Sequence, residues 1–517
     1  MAKPRSQAQM SLLNAASYDQ AVGIAEDHWC RWFYREVRCA FDDADFADLY
    51  AEGGRCPISP GLLACVTILQ YCFRASDRAA VENTIMRRDW RIALGLDVDW
   101  DGFDPTVLTR FRQRLGQAGI EERVFGRVVE LCQERGLVSG RQVRVDATHV
   151  LSDLARLQRA DCLQEALRVV VQSAEDRSPE FWRDGEFMEL FESYGVECWL
   201  GGGSGGSSRL KKLGQDGVRL LALIGDRSVK GKATLEQLLA ENFAVDESGE
   251  LEPLAPEELP DERIMTPHDP QARYGRKRDV SWQGRKAHVT EMLNDEGPNI
   301  ITDVHTTDPR REDSTVLPEV LERVEETTPK VDTVIADGGY ASGENSAEAK
   351  RSEVDLVTPP RGGNHRGMLP AEEFDIDLDA QVARCPEGHL STTWHERKDR
   401  IFIRFPAARC RVCPRRSECT TSKQGRSLNL SPRYRQLRQD RARAQTDAFK
   451  ELYRRRSGIE ATIGKLVHSH GLRRSRYRGA AREAIHALLA ATALNVMRLI
   501  DWLRGSTRRA GLTAQPA

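Results

Sequence analysis

The chain has 517 residues, of which 40% are hydrophobic and 30% are charged, and its formal net charge is -2. This composition is typical of a soluble globular protein, and the length predicts more than one domain. We find no apolar run long enough for a membrane span and no apolar N-terminal core, so we expect no membrane partner, no secretory signal and a cytoplasmic location. The near-zero net charge argues against a generally basic nucleic-acid-binding protein.

The first part of the chain has the apolar spacing of helices and predicts a helical N-terminal domain, residues 1–140. The clearest segments are 58–73 and 104–119, and Asp104 is a plausible N-cap of the second one. Three arginines give that helix a basic side: Arg110, Arg112 and Arg114. Two interpretations stay open, a helix-turn-helix DNA reader and a packing module with a solvated face.

Strand patterns begin after residue 140. The first strand is predicted at 141–150, and others follow at 285–293, 298–307, 331–340 and 354–360. A helix is predicted between two of them, at 317–326. This order of elements is typical of a mixed α/β sheet, and we assign residues 141–505 to one α/β domain.

Two inserts interrupt this domain. The first, about 152–260, is predicted to be helical and contains the run GGGSGGSS at 201–208. By composition that run is a flexible linker, either a native loop or an engineered replacement. The second insert, about 380–425, is rich in cysteine. Helices are predicted again over 433–505, followed by a disordered tail, 506–517.

Three carboxylates occupy positions that suit a catalytic site. Asp146 and Asp337 each lie at the end of an apolar strand, the edge where α/β proteins build their sites. Glu460 lies on a predicted helix that also carries Tyr453 and Arg456. A single Asp after a strand is more often a turn residue or a helix cap, so the spacing alone leaves that alternative open.

Carboxylates that converge in one cleft repel each other unless a cation lies between them. Mg²⁺ prefers a few carboxylates together with water and phosphate oxygens. Two such ions activate a water or a 3′-hydroxyl and stabilise the leaving oxygen in a displacement at phosphorus. The trio therefore predicts phosphoryl-transfer chemistry.

Positive charge is concentrated in one segment of the chain. Residues 433–478 contain 14 Lys or Arg and 4 Asp or Glu. The end of this segment carries four arginines around Tyr477, namely Arg473, Arg474, Arg476 and Arg478. Such a cluster suits contacts to DNA phosphates, and the alternative is a solvated loop.

Four of the 12 cysteines lie within residues 385–419. Cys410 and Cys413 have the C-x2-C spacing of a zinc knuckle, and Cys385 with either Cys419 or His389 would complete a tetrahedral set. A closed set of this kind predicts a structural Zn²⁺. The alternative is four free thiols in a reducing cytoplasm.

From about residue 55 to about residue 505 the sequence resembles the DDE transposases of bacterial insertion sequences. The resemblance rests on the order of several blocks, which read PISPGLLACVTILQY, GFDPTVLTRFRQRL, VDATHV, WQGRKAHVTE, TTDPRREDSTVLPEVL, ADGGYASGEN and YRRRSGIEATIGKLVHSHGLRRSRYRG. It implies an RNase H-like mixed sheet, preceded by the helical domain and interrupted by the helical insert and a small zinc-ribbon-like insert. It further implies that Asp146, Asp337 and Glu460 bind two Mg²⁺ or Mn²⁺ ions.

The resemblance also implies roles for residues around Glu460. Tyr453 and Arg456 match a Tyr-x2-Arg-x3-Glu signature whose residues contact the transposon end. In that signature a Lys follows the Glu by seven residues, but this chain has Val467 there. Lys465 is the nearest lysine, and it faces a different direction because each helical residue adds about 100° of rotation.

The sequence therefore predicts a DNA transposase that performs metal-dependent cleavage at insertion-sequence ends and strand transfer into target DNA. Its expected partner is double-stranded DNA, both terminal repeats and target, bound by a homodimer or a higher assembly at the nucleoid. One alternative is a catalytically inactive, transposase-derived, sequence-specific DNA-binding protein, which the Val467 departure favours slightly. Another is an RNase H-fold nuclease that acts on RNA or on a Holliday junction.

Overall fold

The computed structural model describes residues 23–513 except 52–56, 98, 153–156, 176–180, 182, 196–205, 247–249, 278–279, 329 and 361–367. The statements below concern these residues. Within them the chain forms a helical N-terminal region and a mixed α/β sheet, which confirms both predictions at this level.

Six α-helices form the N-terminal region. They are α1 (Trp29–Trp32), α2 (Pro60–Cys72), α3 (Asp77–Met86), α4 (Arg88–Leu94), α5 (Thr106–Gln117) and α6 (Arg123–Glu134). A π-helical turn (Phe33–Val37) and two 3-10 turns (Arg38–Ala40 and Asp43–Leu49) follow α1. Helix α2 begins where Ser59 accepts a hydrogen bond from the Leu62 amide, with Pro60 in the first turn. The Asp104 side chain accepts from the Thr106 amide at the start of α5, as expected for a cap.

The predicted basic side of α5 is wrong for Arg112. This guanidinium is buried, where it donates to Asp77 at 2.5 Å and to Gln70 at 3.2 Å. It also lies over the ring of Tyr477, 5.2 Å from the centroid. Arg112 therefore ties α5 to the N-terminal core, since a buried arginine needs compensating partners.

The central sheet contains six strands. They are β1 (Gln142–Leu151), β4 (Arg273–Lys277), β5 (Val280–Met292), β6 (Ile300–Thr307), β7 (Thr333–Ala336) and β8 (Asp355–Val357). Their order is β4-β5-β1-β7-β8, and β6 also pairs with β5. β5 runs antiparallel to β1, β4 and β6, whereas β7 is parallel to both β1 and β8.

Helices cover both faces of this sheet. One face packs on α11 (Asp313–Thr327), and α12 (Gly343–Arg351) lies between β7 and β8 in the chain. Near the C-terminus, α15 (Tyr434–Ala444), α16 (Asp447–Arg454), α17 (Gly458–His468) and α18 (Ala480–Thr513) follow in order. Helix α18 packs against α2, α6 and β6, so one apolar cluster runs from the N-terminal helices to the sheet.

By length and composition, Ala480–Gly505 is apolar enough to cross a membrane, but 83% of its most apolar window is buried inside the protein. That burial is what the core helix of a folded domain requires. Helix α18 also continues to Thr513, into the segment 506–517 that was predicted to be a disordered tail.

Between β1 and β4 the chain forms a helical unit with its own apolar core. Its elements are α7 (Arg159–Glu175), α8 (Gly185–Tyr194), α9 (Gly206–Ile224), α10 (Lys232–Asn242), β2 (Phe243–Val245) and β3 (Leu251–Pro253). The linker prediction for 201–208 is wrong for 206–208, because these residues form the first turn of α9. Residues 201–205 lie outside the described residues.

The cysteine-rich segment is built from short elements around a fourth apolar cluster. They are β9 (Asp375–Asp377), β10 (Val382–Arg384), β11 (Thr393–Glu396), β12 (Ile401–Arg404), α13 (Ala407–Arg411), α14 (Arg416–Cys419) and β13 (Ser427–Leu430). β9 and β10 form a hairpin, and β11, β12 and β13 form an antiparallel sheet.

Candidate active site

Two aspartates lie next to each other on neighbouring parallel strands. Asp337 directly follows β7, whereas Asp146 lies inside β1, which continues to Leu151, so the prediction that Asp146 stands at the end of a strand is wrong. Val145 on β1 is paired with Ala336 on β7, so Asp146 and Asp337 occupy the next position of two adjacent strands. Adjacent strands lie about 4.8 Å apart. The Asp146 side chain is 15% exposed and accepts a hydrogen bond from the Ala147 amide. Both predicted aspartates therefore lie at the C-terminal edge of the parallel pairing between β1 and β7.

A tight turn fixes the Asp337 carboxylate. Its Oδ1 accepts from the Gly339 amide at 2.7 Å within the 3-10 turn Gly338–Tyr340. A Cβ on Gly339 would lie 2.7 Å from that oxygen and 3.0 Å from Oδ2 of Asp313, so this position has room only for glycine. A fourth carboxylate, Asp313 at the start of α11, thus lies beside Asp337. Its Oδ1 accepts from Lys286 Nζ at 2.9 Å.

Arg456 connects Asp146 to Glu460. Its Nη2 donates to Asp146 Oδ2 at 2.8 Å, and its Nη1 donates to Glu460 Oε1 at 3.2 Å. The Arg456 side chain is 15% exposed and that of Glu460 is 69% exposed, so Glu460 faces solvent across the guanidinium. The structure brings these two predicted carboxylates together through a cation.

The predicted continuous helix around Glu460 is wrong. Tyr453 lies at the end of α16, and Arg456 lies in a 3-10 turn, Arg455–Ser457, that separates α16 from α17. Glu460 is in the first turn of α17.

The pKa values of two tyrosines are raised by the carboxylates of this site. Burial raises the pKa of Tyr453, and the charges of Asp337, Asp146 and Glu460 raise it further while Arg456 lowers it. Burial also raises the pKa of Tyr340 well above its ordinary value, and Asp313, Asp146 and Asp337 add to this effect. Each hydroxyl therefore lies within electrostatic reach of several carboxylates at the sheet edge.

The hydroxyl of Tyr340 forms a hydrogen bond with a buried histidine, His288. This bond joins the hydroxyl to His288 Nδ1 at 2.6 Å, and His288 Nε2 lies 3.1 Å from the Thr307 hydroxyl. Burial, reinforced by the charge of Lys286, lowers the pKa of His288 to about 3. His288 is therefore a neutral support beneath the site.

The basic residues predicted to contact DNA on α17 and directly after it divide into two groups. Arg473 donates to the His149 carbonyl, and Arg476 donates to the Ala75 carbonyl, so both join neighbouring segments. Lys465, Arg474 and Arg478 are exposed. All five remain predicted DNA contacts; Arg476 is exposed like the second group, whereas Arg473 is partly buried.

Val467 packs against the main apolar cluster, whereas Lys465 is exposed on the same helix. The position that carries a lysine in the related signature is thus a packing position in this chain. The side chain of Lys465 therefore points in a different direction from that of a lysine at position 467.

Much of the charge on α15 is paired with acidic side chains of the same chain. Arg435 pairs with Asp379, Arg441 with Glu372, and Arg443 with Asp355. Two of these three acids belong to the segment just before the cysteines. The local excess of positive charge is therefore a poor measure of what α15 offers to DNA.

The four clustered cysteines line one cavity. Cys385, Cys410, Cys413 and Cys419 face it together with His389, and all four are free thiols. Burial raises the pKa of the Cys419 thiol, and the other three sulfurs add to this effect while Arg426 lowers it. The structure thus brings the predicted zinc ligands to one place and keeps both completions of the set open.

Groups of potential metal ligands differ in how closely their ligand atoms lie. Within the described ranges, Asp246, Glu250 and Glu252 form the only group of three His, Cys, Asp or Glu whose ligand atoms all lie within 4.8 Å of one another. That group is exposed on the β2–β3 hairpin, where Lys211 neutralises two of its members. The thiols and the three predicted catalytic carboxylates are more widely spaced, the latter with Arg456 between two of them.

Sequence reasoning missed several residues of this site. Asp313 lies in a quoted motif without a predicted role, and no role is predicted for His288 or for Arg144 and Glu291, an ion pair buried beside β1 at 2.6 Å. One signal was present for Glu291 and His288, since a charged or polar side chain inside a central strand is unusual. Alternation alone does not reveal what such a residue contacts.

Two family models match the chain. The one described as Transposase DDE domain matches residues 384–500, and the one described as Transposase domain (DUF772) matches residues 20–114. The first range includes Glu460 and the four cysteines, and the second covers most of the N-terminal helices. Searches among curated proteins and among solved structures found no match. Over these two ranges the chain is similar to transposase families, which is consistent with the DDE transposases of insertion sequences that its motifs resemble.

Proposed function

We propose that this chain catalyses metal-dependent cleavage at the ends of an insertion sequence and transfers the freed strands into target DNA. The observation that carries the proposal is the placement of Asp146 and Asp337 side by side at the C-terminal edge of the parallel pairing between β1 and β7, with Arg456 joining Asp146 to Glu460. Carboxylates at such an edge suit a divalent ion that also binds phosphate oxygens.

The arrangement of strands supports an RNase H-like sheet. Antiparallel β6 and β5 lead to β1, and β7 and β8 continue the sheet in parallel. In this proposal the helical insert between β1 and β4 and the cysteine-rich segment are additions to that sheet. The N-terminal helices share the apolar cluster of α18, so the proposed domains pack as one unit.

The residues fit a divalent cation in chemistry and in access. Asp146, Asp337 and Glu460 would bind it, and Glu460 is exposed whereas the other two are partly buried, so a DNA phosphate would approach from the side of Glu460. Bound divalent ions supply activation of a water or a 3′-hydroxyl and stabilisation of the leaving oxygen at phosphorus. Arg456 would release Asp146 and contact a DNA phosphate, with Tyr453 beside it.

We further propose that the cysteine cavity binds one structural Zn²⁺. Cys385, Cys410 and Cys413 with either Cys419 or His389 supply a closed set of four, and a closed set leaves no position for catalysis. The β9–β13 elements are short, and a metal at their centre would hold them together.

The test uses duplex fragments from both flanks of the gene that encodes the chain, incubated with Mg²⁺ or Mn²⁺. We expect cleavage that requires the metal, persists in Asp332→Asn and is lost in Asp337→Asn. Asp332 is a matched control because it lies just before β7 and pairs with Arg141, away from the site. Metal-independent cleavage, or full cleavage by Asp337→Asn, would contradict the proposed mechanism. Tight binding without cleavage by any variant would favour the inactive DNA-binding alternative.

A further inference from the structure

A fully buried glutamate lies on β5, inside the layer between the sheet and the C-terminal helices. Glu291 is 0% exposed and is paired with Arg144 at 2.6 Å and with Arg498 at 2.8 Å. Its Oε1 also accepts from the Thr462 hydroxyl at 2.6 Å. A buried carboxylate with three donors is satisfied, and removing any one of them leaves a charge or a dipole without a partner.

The partners of Glu291 come from three different elements. Arg144 is on β1, Thr462 is on α17 and Arg498 is on α18. Arg498 also donates to the Thr462 hydroxyl at 2.7 Å and to the Asn299 carbonyl at 2.8 Å. One connected network therefore fixes α17 and α18 on the sheet.

The same network touches the turn before α17. Arg144 Nη1 donates to the Arg455 carbonyl at 2.8 Å. A Cβ on Gly458 would lie 2.1 Å from Arg144 Nη1, so the guanidinium fits directly under the first residue of α17. The turn that carries Arg456 and the helix that carries Glu460 thus rest on the same arginine.

The network lies two residues from each of two proposed metal ligands. Arg144 precedes Asp146 by two positions on the same face of β1, because side chains alternate along a strand. Thr462 follows Glu460 by two positions on α17. The hydrogen bonds that Thr462 and Arg144 donate to Glu291 therefore link the backbones that carry Asp146 and Glu460.

We infer that Glu291 is a positioning residue, which sets the height and rotation of α17 over β1 and so the distance between Asp146 and Glu460. This inference rests on the proposed function. A slip of one residue would rotate α17 by about 100° and move Glu460 out of line with Asp146. Residues that orient metal ligands typically contribute about 10- to 100-fold to metal affinity or activity.

The experiment compares four variants of the full chain. Glu291→Gln keeps the shape but removes the charge, and Thr462→Val keeps the shape but removes the hydroxyl. Thr462→Ser restores the hydroxyl. Asp303→Asn is the matched control. Asp303 lies on β6, the strand next to β5, and like Glu291 it is buried and paired with an arginine. That arginine, Arg323, is on α11, so the ion pair does not involve α17.

Two properties are measured in metal-stripped protein: the affinity for Mn²⁺ by electron paramagnetic resonance, and amide hydrogen exchange over residues 458–468. We expect Glu291→Gln and Thr462→Val to weaken Mn²⁺ binding by about tenfold or more and to speed exchange over 458–468. Thr462→Ser and Asp303→Asn should leave both unchanged even where the melting temperature falls.

Equal losses in Asp303→Asn and Glu291→Gln would overturn the inference, because they would reflect stability alone. Unchanged exchange over 458–468 in Glu291→Gln would also overturn it. Failure of the proposed function gives a different result. If Asp337→Asn binds Mn²⁺ as tightly as the wild type does, the proposed metal site is wrong. The exchange measurement, made without metal, still decides whether Glu291 positions α17.

Discussion

The guanidinium of Arg456 occupies the position between two proposed metal ligands, so it should compete with the metal. It donates to Asp146 at 2.8 Å and to Glu460 at 3.2 Å. A cation that binds both carboxylates has to displace these hydrogen bonds. We therefore expect Arg456→Met to bind Mn²⁺ more tightly than the wild type when no DNA is present.

The size of the effect follows from exposure. Both side chains of the Asp146–Arg456 pair are 15% exposed, and hydrogen bonds to charged groups contribute about 1.5–3 kcal/mol in general. Glu460 is 69% exposed, and pairs of this kind contribute about 0–1 kcal/mol. Allowing for partial screening of the first pair, the displaced interactions amount to about 1–2 kcal/mol, which corresponds to about 5- to 30-fold in affinity.

The assay titrates Mn²⁺ into metal-stripped protein and follows the free ion by electron paramagnetic resonance. Arg454→Met is the matched control, since Arg454 has the same charge, is 75% exposed and pairs with Glu451, away from the proposed ligands. We expect that control to bind Mn²⁺ like the wild type. With DNA present, Arg456→Met should cleave more slowly, because the phosphate contact is lost.

Weaker Mn²⁺ binding by Arg456→Met than by the wild type would refute this reasoning. It would mean that Arg456 supports the metal site instead of competing for it. Equal tightening in Arg454→Met would reduce the effect to a general change in local charge.

Three further predictions concern other parts of the chain. Cys413→Ser should lower the zinc content measured by mass spectrometry and the melting temperature, while Cys39→Ser changes neither; full zinc content in Cys413→Ser would contradict the cysteine site. Lys465→Gln and Arg474→Gln should each lower the slope of log K for DNA against log salt by about one, and an unchanged slope would remove that residue from the DNA surface. Burial raises the folded-state pKa of Glu483 to about 7 from an ordinary value of 4.5, so its stabilising contribution is present below about pH 4.5 and is lost as the pH rises to 7. Glu483→Gln should therefore flatten the dependence of unfolding free energy on pH in that window by up to about 3 kcal/mol, and an unaltered pH profile would contradict the assignment.

Several elements of this fold were predictable from local patterns. The strand alternation around 141–150 and the apolar run 331–336 gave β1 and β7, and helix 317–326 lies within α11. The position of Asp337 followed from the same patterns, because the end of β7 is visible in sequence, whereas Asp146 lies inside β1, which continues to Leu151. Their adjacency was not visible, since it depends on the pairing of Val145 with Ala336 across a long separation.

Other features depend on contacts that no local pattern encodes. Arg112 looked like a surface cation, but its burial depends on Asp77, Gln70 and Tyr477, which come from three separate segments. The break between α16 and α17 was also missed, because the run YRRRSGIEATIGK contains no proline and only weak breakers.

The basic segment illustrates the limit of counting charges. Its excess of positive charge suggested a DNA surface, but three arginines of α15 are paired with acids that lie 55 or more positions away in the chain. Glu291 shows the converse case, in which a single buried charge has partners on three elements. Such networks are assigned only when the tertiary structure is known.

The most direct test of the proposed active site is to locate the metal. Crystals of the full chain grown with Mn²⁺ would give anomalous scattering at each bound ion. We predict a peak coordinated by Asp146 and Asp337, with Glu460 nearby and Arg456 moved away from Asp146. A peak only at the exposed Asp246, Glu250 and Glu252 group, with Arg456 still bound to Asp146, would contradict the assignment of the catalytic carboxylates.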